Sequence, residues 1–373
     1  MPVLTETPPV PFDTRRTTAR VAVVRTRPET VIEDYARLMD LADYRGTLSG
    51  AQDTLIKLNL SWTKYFPACS SQPWQLDGVV SKMLADGFAR DRLLPLENKT
   101  VVTDPHAGVR SNRWASVFAR HGLTFTALPE VEWQVYRFES PLLKLNEIFP
   151  EGIQIPAMYP GRQILHLPTV KTHGHAVMTG SVKNSFGGLL KEVRHYAHKY
   201  MHEVLVDLLY MQRELHPAVF TVMDGTVAGD GAGPRTMIPR VKNLLLASSD
   251  PLAIDAIAAR LMGFDPLSIP FIRMAHERGL GVGDVRQIEL AGDDVAGENF
   301  GFTTRRSLVI WGDQMIRRGF LRPLERLLLH SPLMVWAPFA SNVYHDWLWY
   351  PTVGRARIRA FMRTEWGRLF RTY

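Results

Sequence analysis

The stretch "RQILHLPTVKTHGHAVMTGSVKNSFGG", residues 162–188, decides the fold. Residues 162–171 are largely apolar and read as a strand. The apolar run then gives way to Lys171, His173, His175, Lys183 and Asn184, interleaved with Gly174, Gly180, Gly187 and Gly188. A strand that opens into a polar, glycine-rich turn, with a His-rich helix expected over residues 190–212, is the repeating unit of an α/β sheet.

The same grammar runs outward in both directions. Upstream, strands are expected at residues 19–26, 53–62 and 99–108, and helices at 28–44, 73–88 and 111–122, followed by "LTFTALPE". Downstream, residues 218–234 read as a strand breaking into a Gly/Asp loop. Residues 241–264 read as a strand, a Ser249 or Asp250 cap and a helix; 265–281 as a further helix; and 285–294 as a strand and turn. The expected fold is therefore α/β, a mostly parallel sheet with helices on both faces. After about residue 303 the chain becomes rich in Arg and Trp, and helices broken at Pro332, Pro338 and Pro351 are expected. This divides the chain into an N-terminal arm (1–18), an α/β region (19–302, divisible into lobes 19–150 and 151–302) and a helical basic aromatic extension (303–373).

Composition bounds the function. A chain of 373 residues, 46% hydrophobic and 22% charged, has globular composition. The N-terminus lacks the apolar run of a secretory signal, and no apolar run reaches the ~20 residues of a membrane span, so a cytoplasmic location, peripheral at a membrane at most, is expected. Cys69 stands alone, which excludes an all-cysteine iron–sulfur cluster built from this chain. Residues 303–373 carry twelve arginines against four acids, a surplus of eight within a total of +7, so the remainder sums to about −1. Such a tail suits an anionic membrane surface or a protein partner, with a solvated helix face as the bland alternative. The near-neutral body and the lack of a recognition motif argue against nucleic acid, and an oligomer is compatible with the sequence.

In open parallel sheets, ligands bind beyond the carboxyl ends of the strands. Polar residues gather where the expected strands end: Lys57 and Asn59, Asp104 and His106, Lys171 and His173, Asp224 and Asp230. Lys171 and Lys183 could clamp a carboxylate or phosphate, with Asn184, Gly187 and local backbone N–H groups completing a cradle. His173 could move a proton. Asp224 and Asp230 could hold a divalent cation or orient the lysines, and no cofactor beyond such a metal is suggested. His195, His198 and His202 share a helix face; His195 and His198 are candidate metal ligands, although a hydrogen-bonded cleft wall is the favoured reading. Asp255, inside the first turns of its helix, could pair with a lysine of the site. "VYHDWLWYP" (343–351) could be a lid, an interfacial anchor or core.

The ordered patterns "KLNLSW", "VVTDPHAG", "HLPTVKTHGHAVMTGSVKNSFGGLL", "DGTVAGDGAGPR" and "LLLASSDPLAIDAIAARLMG" resemble the DUF362 family over about residues 54–292. That resemblance implies a common site of Lys57, Lys171, His173, Lys183, Asn184, Asp224, Asp230 and Asp255. Many members carry a cysteine-rich ferredoxin-like segment, which this chain lacks. The function expected is an enzyme acting on an anionic small molecule by proton or group transfer, of transferase or acid–base isomerase or lyase type. The alternative is a non-catalytic protein that binds a partner or a membrane surface through its basic Trp-rich tail.

Overall fold

The computed structural model describes residues 18–100, 103–191, 197–304, 311–312, 315–316 and 336–373. Its centre is a ten-stranded sheet in the order β12-β1-β11-β10-β7-β2-β3-β4, with β8 and β9 continuing beside β10. The strands are β1 (Ala19–Arg25), β2 (Thr54–Lys57), β3 (Leu93–Glu97), β4 (Thr126–Ala127), β7 (Gln163–His166), β8 (Thr169–His173), β9 (Val177–Thr179), β10 (Val219–Ala232), β11 (Thr236–Ser248) and β12 (Ile288–Gly292). Within the sheet, β11 and β9 run against the rest; the other neighbouring pairs are parallel. Strands β5 (Trp133–Tyr136) and β6 (Ile153–Pro156) form a separate antiparallel ribbon.

The period of two along each strand builds two cores. Val21, Val23, Leu55, Ile164, Leu244 and Leu246 face one side, which is covered by α7 (Ser181–Leu189), α8 (Met201–Leu215), α9 (Pro251–Met262) and α10 (Pro270–Glu277). Ala22, Val24, Ile56, Leu165, Phe220 and Leu245 face the other, beneath α1 (Val31–Leu41), α3 (Pro73–Ala85) and α5 (Trp114–His121). Three shorter helices, α2 (Tyr44–Thr47), α4 (Pro105–Ser111) and α6 (Leu145–Ile148), lie in the connections. Strands covered on both faces read as continuous apolar runs, as β1 does with "VAVV".

The structure revises several expected elements. The strand expected over 162–171 is two, β7 and β8, and the helix expected over 190–212 is α8, beginning only at Met201, while α7 precedes it over Ser181–Leu189. The third strand is Leu93–Glu97, not residues 99–108. Pro95 disguised it, because proline argues against a central strand. Asp104 accepts the Ala107 N–H and Pro105 follows it, so this segment starts α4. The Gly/Asp segment expected as a loop is instead the second half of β10, paired with β11 out to Ala232↔Thr236, with its register shifted between Gly225 and Val227. Glycine at 229 eases the packing of β8 on β10: a Cβ there would lie 3.0 Å from the Lys171 Cβ and would displace the Met237 thioether.

The extension forms α11 (Trp336–Asn342), a π-helical stretch over Val343–Gly354, α12 (Arg355–Phe361) and α13 (Glu365–Phe370). The chain does not break at Pro338, in the first turn of α11, nor at Pro351, inside the π-helical stretch. Pro332 lies outside the described residues. Phe361, Trp366 and Phe370 are part of the second core. Trp366 sits 5.0 Å from Trp74, ring to ring, and donates Nε1–H to Asn243 Oδ1 at 2.7 Å. Trp366→Ala should destabilise the whole fold by about 3–5 kcal/mol in chemical denaturation, the usual range for a buried large aromatic. An unchanged unfolding midpoint would show that the C-terminal helices are not integral to the core.

Candidate functional site

Four polar residues close their strands: Lys57 ends β2, Glu97 ends β3, His166 ends β7 and His173 ends β8. They mark the carboxyl rim where ligands bind in sheets of this kind. Helix α7 lies against the rim, and its side chains tie the strand ends together.

Asn184, on α7, donates Nδ2–H to the Lys57 carbonyl at 3.1 Å and lies 3.3 Å from His166 Nδ1. Its Oδ1 accepts from Asn59 Nδ2 at 3.1 Å. Asn59 Oδ1 accepts from Lys171 Nζ at 2.5 Å, and Lys171 also donates to the Cys69 carbonyl at 2.6 Å and Thr169 Oγ1 at 2.9 Å. His166 Nδ1 faces the Asn184 amide, so its proton sits on Nε2 and goes to Gln212 Oε1 at 2.6 Å. All these side chains are buried. Desolvation pushes Lys171 down to about 8 and His166 down to about 3. The three N–H donors of Lys171 are therefore spent on protein acceptors, and its role in this geometry is to hold Asn59.

Beside this chain, Lys57 donates to Glu97 Oε1 at 2.7 Å, with both side chains almost wholly buried. Glu97 Oε1 also accepts the Asn98 N–H, while Oε2 and the nearby Tyr159 hydroxyl are buried without a hydrogen-bond partner. Asn98 in turn donates Nδ2–H to the Gly187 carbonyl at 2.8 Å, pinning the far end of α7.

The near end of α7 is held by Asp255, which accepts from Ser181 N at 2.6 Å and Val182 N at 3.1 Å. Gly180 allows this, since a Cβ there would overlap the carboxylate. Asp255 thus pairs with amides rather than with a lysine. The first-turn N–H groups that could have cradled an external anion are filled by an internal one. Burial lifts its carboxyl to about 7.

Outside the buried chain lies a second, more open group. His173 Nδ1 accepts from the backbone amides of His175, at 3.1 Å, and Ala176, at 3.3 Å. Burial, then the charges of Lys183, His175, His198 and Lys171, hold His173 well below the ordinary imidazole range. The His173, His175 and His198 rings follow one another at 5.9 Å spacing, and Phe186 lies beneath both His198 and the Lys183 ammonium, at 5.4 Å from each. Lys183, His175 and His198 are partly exposed.

The other expected site residues lie elsewhere. Asp224 points to the opposite face of the sheet and is saturated there: Oδ2 accepts from Tyr35 Oη at 2.6 Å and Trp74 Nε1 at 3.0 Å, and Oδ1 from Thr226 N and Oγ1. Asp230, six residues along β10 and so roughly 20 Å away, accepts from Arg240 and from Thr303 N. Asp104 caps α4, and His106 meets Glu130 at 2.6 Å on an exposed surface. His195 lies outside the described residues. Among the described residues no three His, Cys, Asp or Glu side chains are grouped to hold a metal ion. Glu97, His166 and Gln212 were missed. His166 ends a strand inside the stretch first quoted, so the strand-end rule would have found it; the misplaced third strand concealed Glu97.

A model of the "Domain of unknown function (DUF362)" family matches residues 54–260, more than half of the chain. The chain belongs to the DUF362 family. Its matched segment spans β2 to α9 and so contains every strand end of the rim. The chain is also 31% identical, over 120 residues, to a protein described as "Thylakoid-associated protein sll1697" from Synechocystis sp. (strain ATCC 27184 / PCC 6803 / Kazusa). That similarity covers 31% of this chain and 37% of the relative's length. No solved structure matches the chain significantly.

Two measurements test the buried chemistry. Removing one member of a buried ion pair strands the other, at about 3–5 kcal/mol. Lys57→Met and Glu97→Gln should each destabilise by that order and the double variant by clearly less than their sum; additive losses would show that the pair is not coupled. Separately, His166, His216 and His345 are held neutral by burial at about 3, about 4 and about 3. Their folded values lie below the ordinary ~6.5, so the unfolded chain binds more protons in that interval. Their stabilisation is complete above about pH 6.5 and lost as pH falls towards the folded values. The buried carboxyls of Asp207, Asp224, Asp250 and Asp255 are raised instead and have the opposite sign, so the histidine contribution is read by removing one histidine. Between about pH 6.5 and about pH 4 the parent should lose melting temperature relative to His216→Gln; identical pH profiles of the two would show that His216 is not held neutral in the fold.

Proposed function

We propose that the partly exposed group formed by His173, His175, Lys183 and His198 binds an anionic small molecule, a carboxylate or a phosphate, for proton or group transfer. The observation that carries this reading is the orientation of His173. Two backbone amides occupy Nδ1, so the imidazole is neutral with its proton on Nε2. Burial lowers its pKa, and among the described residues Lys183, His175, His198 and Lys171 push it further down. A neutral N–H donor beside an ammonium suits an oxygen anion, and it stabilises negative charge that develops on that oxygen without itself being ionised. Lys183 supplies the ammonium; Asn184, Asn59 and Lys171 supply rigidity. In this tautomer His173 acts as a hydrogen-bond donor, and a proton moved during reaction would leave from Nε2.

The test is calorimetric titration of the full chain with inorganic phosphate, pyrophosphate and succinate. Lys183→Met should weaken the best of the three by tenfold or more, the order expected when a charge-assisted contact is lost. Asp104→Ala and His106→Ala should leave it unchanged. Binding that is equal in Lys183→Met and the parent overturns the reading, as does no binding by any of the three anions.

A second reading, association with a membrane surface, is favoured by the exposed aromatic residues of the extension, with Trp347 at 66% and Phe339 at 62% exposure. The relative's description as thylakoid-associated agrees with it. Among the described residues no helix is long and apolar enough to cross a membrane.

A further inference from the structure

The extension does not expose its aromatic residues at random. In the π-helical stretch Val343–Gly354, His345, Trp349, Tyr350 and Gly354 turn inward at intervals of four or five residues, as an i→i+5 helix dictates. They are anchored there: the Trp62 ring contacts His345, Trp349 and Tyr350, and Trp62 Nε1 donates to Asp346 Oδ1 at 2.7 Å. Tyr350 Oη donates to the Tyr65 carbonyl at 3.0 Å. The intervening residues therefore cannot turn inward. Trp347, Leu348 and Val353 stand out from the surface, and Phe339 lies edge-on to Trp347 at 6.3 Å between ring centres. Of the eight large apolar side chains exposed among the described residues, these four fall within fifteen residues of chain, so this is a patch and not scatter.

Arginine dominates the charge beside the patch: Asp346 is held by Trp62 and Lys64, and Glu365 pairs with Arg368. Arg355, Arg359 and Arg363 follow on α12 and just beyond it, all exposed, and residues 303–373 carry twelve arginines, four acids and no lysine. Exposed Trp, Leu and Phe beside arginines fit the boundary between headgroups and acyl chains: the apolar tips enter the hydrocarbon edge and the guanidiniums bind phosphates above it. A protein partner would have to match both an apolar ridge and an arginine row; an anionic lipid surface offers both everywhere.

Resting on the membrane-surface reading, we propose that the ridge of Phe339, Trp347, Leu348 and Val353, flanked by Arg355 and Arg359, is the face by which this chain docks on anionic lipid. The ridge inserts shallowly, and the inward residues of the same stretch transmit the attachment to the body through Trp62 and Tyr65.

The experiment is flotation of the full chain with vesicles of phosphatidylcholine containing about one-third phosphatidylglycerol, and with vesicles of phosphatidylcholine alone. The parent chain should float with the anionic vesicles and less as salt rises. Trp347→Ser/Leu348→Ser should lower the vesicle-bound fraction about tenfold or more. Arg355→Gln/Arg359→Gln should lower it and flatten the salt dependence. Val135→Ser, on an exposed residue of the separate ribbon, should change nothing. These side chains are exposed, so the melting temperatures should match the parent's. A parent chain that does not float overturns both the membrane-surface reading and this face. A parent that floats alongside an equally buoyant Trp347→Ser/Leu348→Ser variant overturns the face alone. Loss of a sedimenting dimer in that variant, without flotation of the parent, would assign the ridge to a second copy of the chain instead.

Discussion

The candidate site rests on a line of neutral amides and one lysine buried under the sheet's carboxyl rim. Asn184 reads the Lys57 carbonyl and the His166 ring from α7; Asn59 reads Asn184; Lys171 reads Asn59. Each member comes from a different element: the turn after β2, the end of β7, β8 and α7. Apolar packing could bring those elements together but could not fix their mutual position so closely, because hydrogen bonds constrain direction as well as distance. A buried polar chain left half-made is worse than an apolar core, since each orphaned group loses about 1–3 kcal/mol of solvation. The fold is therefore committed to completing it, and the open histidine group stands on its end through β8.

Carboxylates play a different part from the one their positions in the sequence suggest. Asp224, Asp230 and Asp255 fall near the strand-end motifs, yet each is filled by protein donors. Asp224 gathers a tyrosine, a tryptophan and a threonine across the far face of the sheet; Asp255 closes the first turn of α7. Burial lifts both. They act as internal ligands for donors that would otherwise be orphaned. Among the described residues, Lys183, His175, His198 and Lys171 bear on His173.

The sheet was legible where residues obey a simple period. β1, β7, β11 and β12 emerge from apolar alternation and length, and α9 from the Asp250 cap and its Gly263 stop. The misreadings come from residues with two meanings. Pro95 sits in a central strand, where it is rarely tolerated, and so hid β3 and with it Glu97. Glycines in β10 signal loops in most contexts; here they make room for β8, a reason that exists only in three dimensions. The direction of a strand-end side chain is equally invisible, because the irregularity between Gly225 and Val227 resets the parity of β10. That Lys171 and Asn184 would meet through Asn59 follows from no spacing in the chain; it needs the order β10-β7-β2 and the placement of α7.

The extension and the rim share one wall. The turn after β2 carries Asn59 into the amide chain and, three residues later, Trp62 into the aromatic contacts of the extension. Residues 65–72 of that turn are buried throughout. A hinge needs exposed backbone and few contacts, and this segment has neither. The extension is thus a facing on the wall that holds Asn59: lifting it would uncover Trp62 and Phe66, whose burial is worth about 1.5–3 kcal/mol for a side chain of that size. Docking through the outward residues of the same stretch leaves those inward contacts in place. Attachment to a surface and the geometry of the rim are therefore compatible, and the chain can be held at a membrane without the amide chain being disturbed.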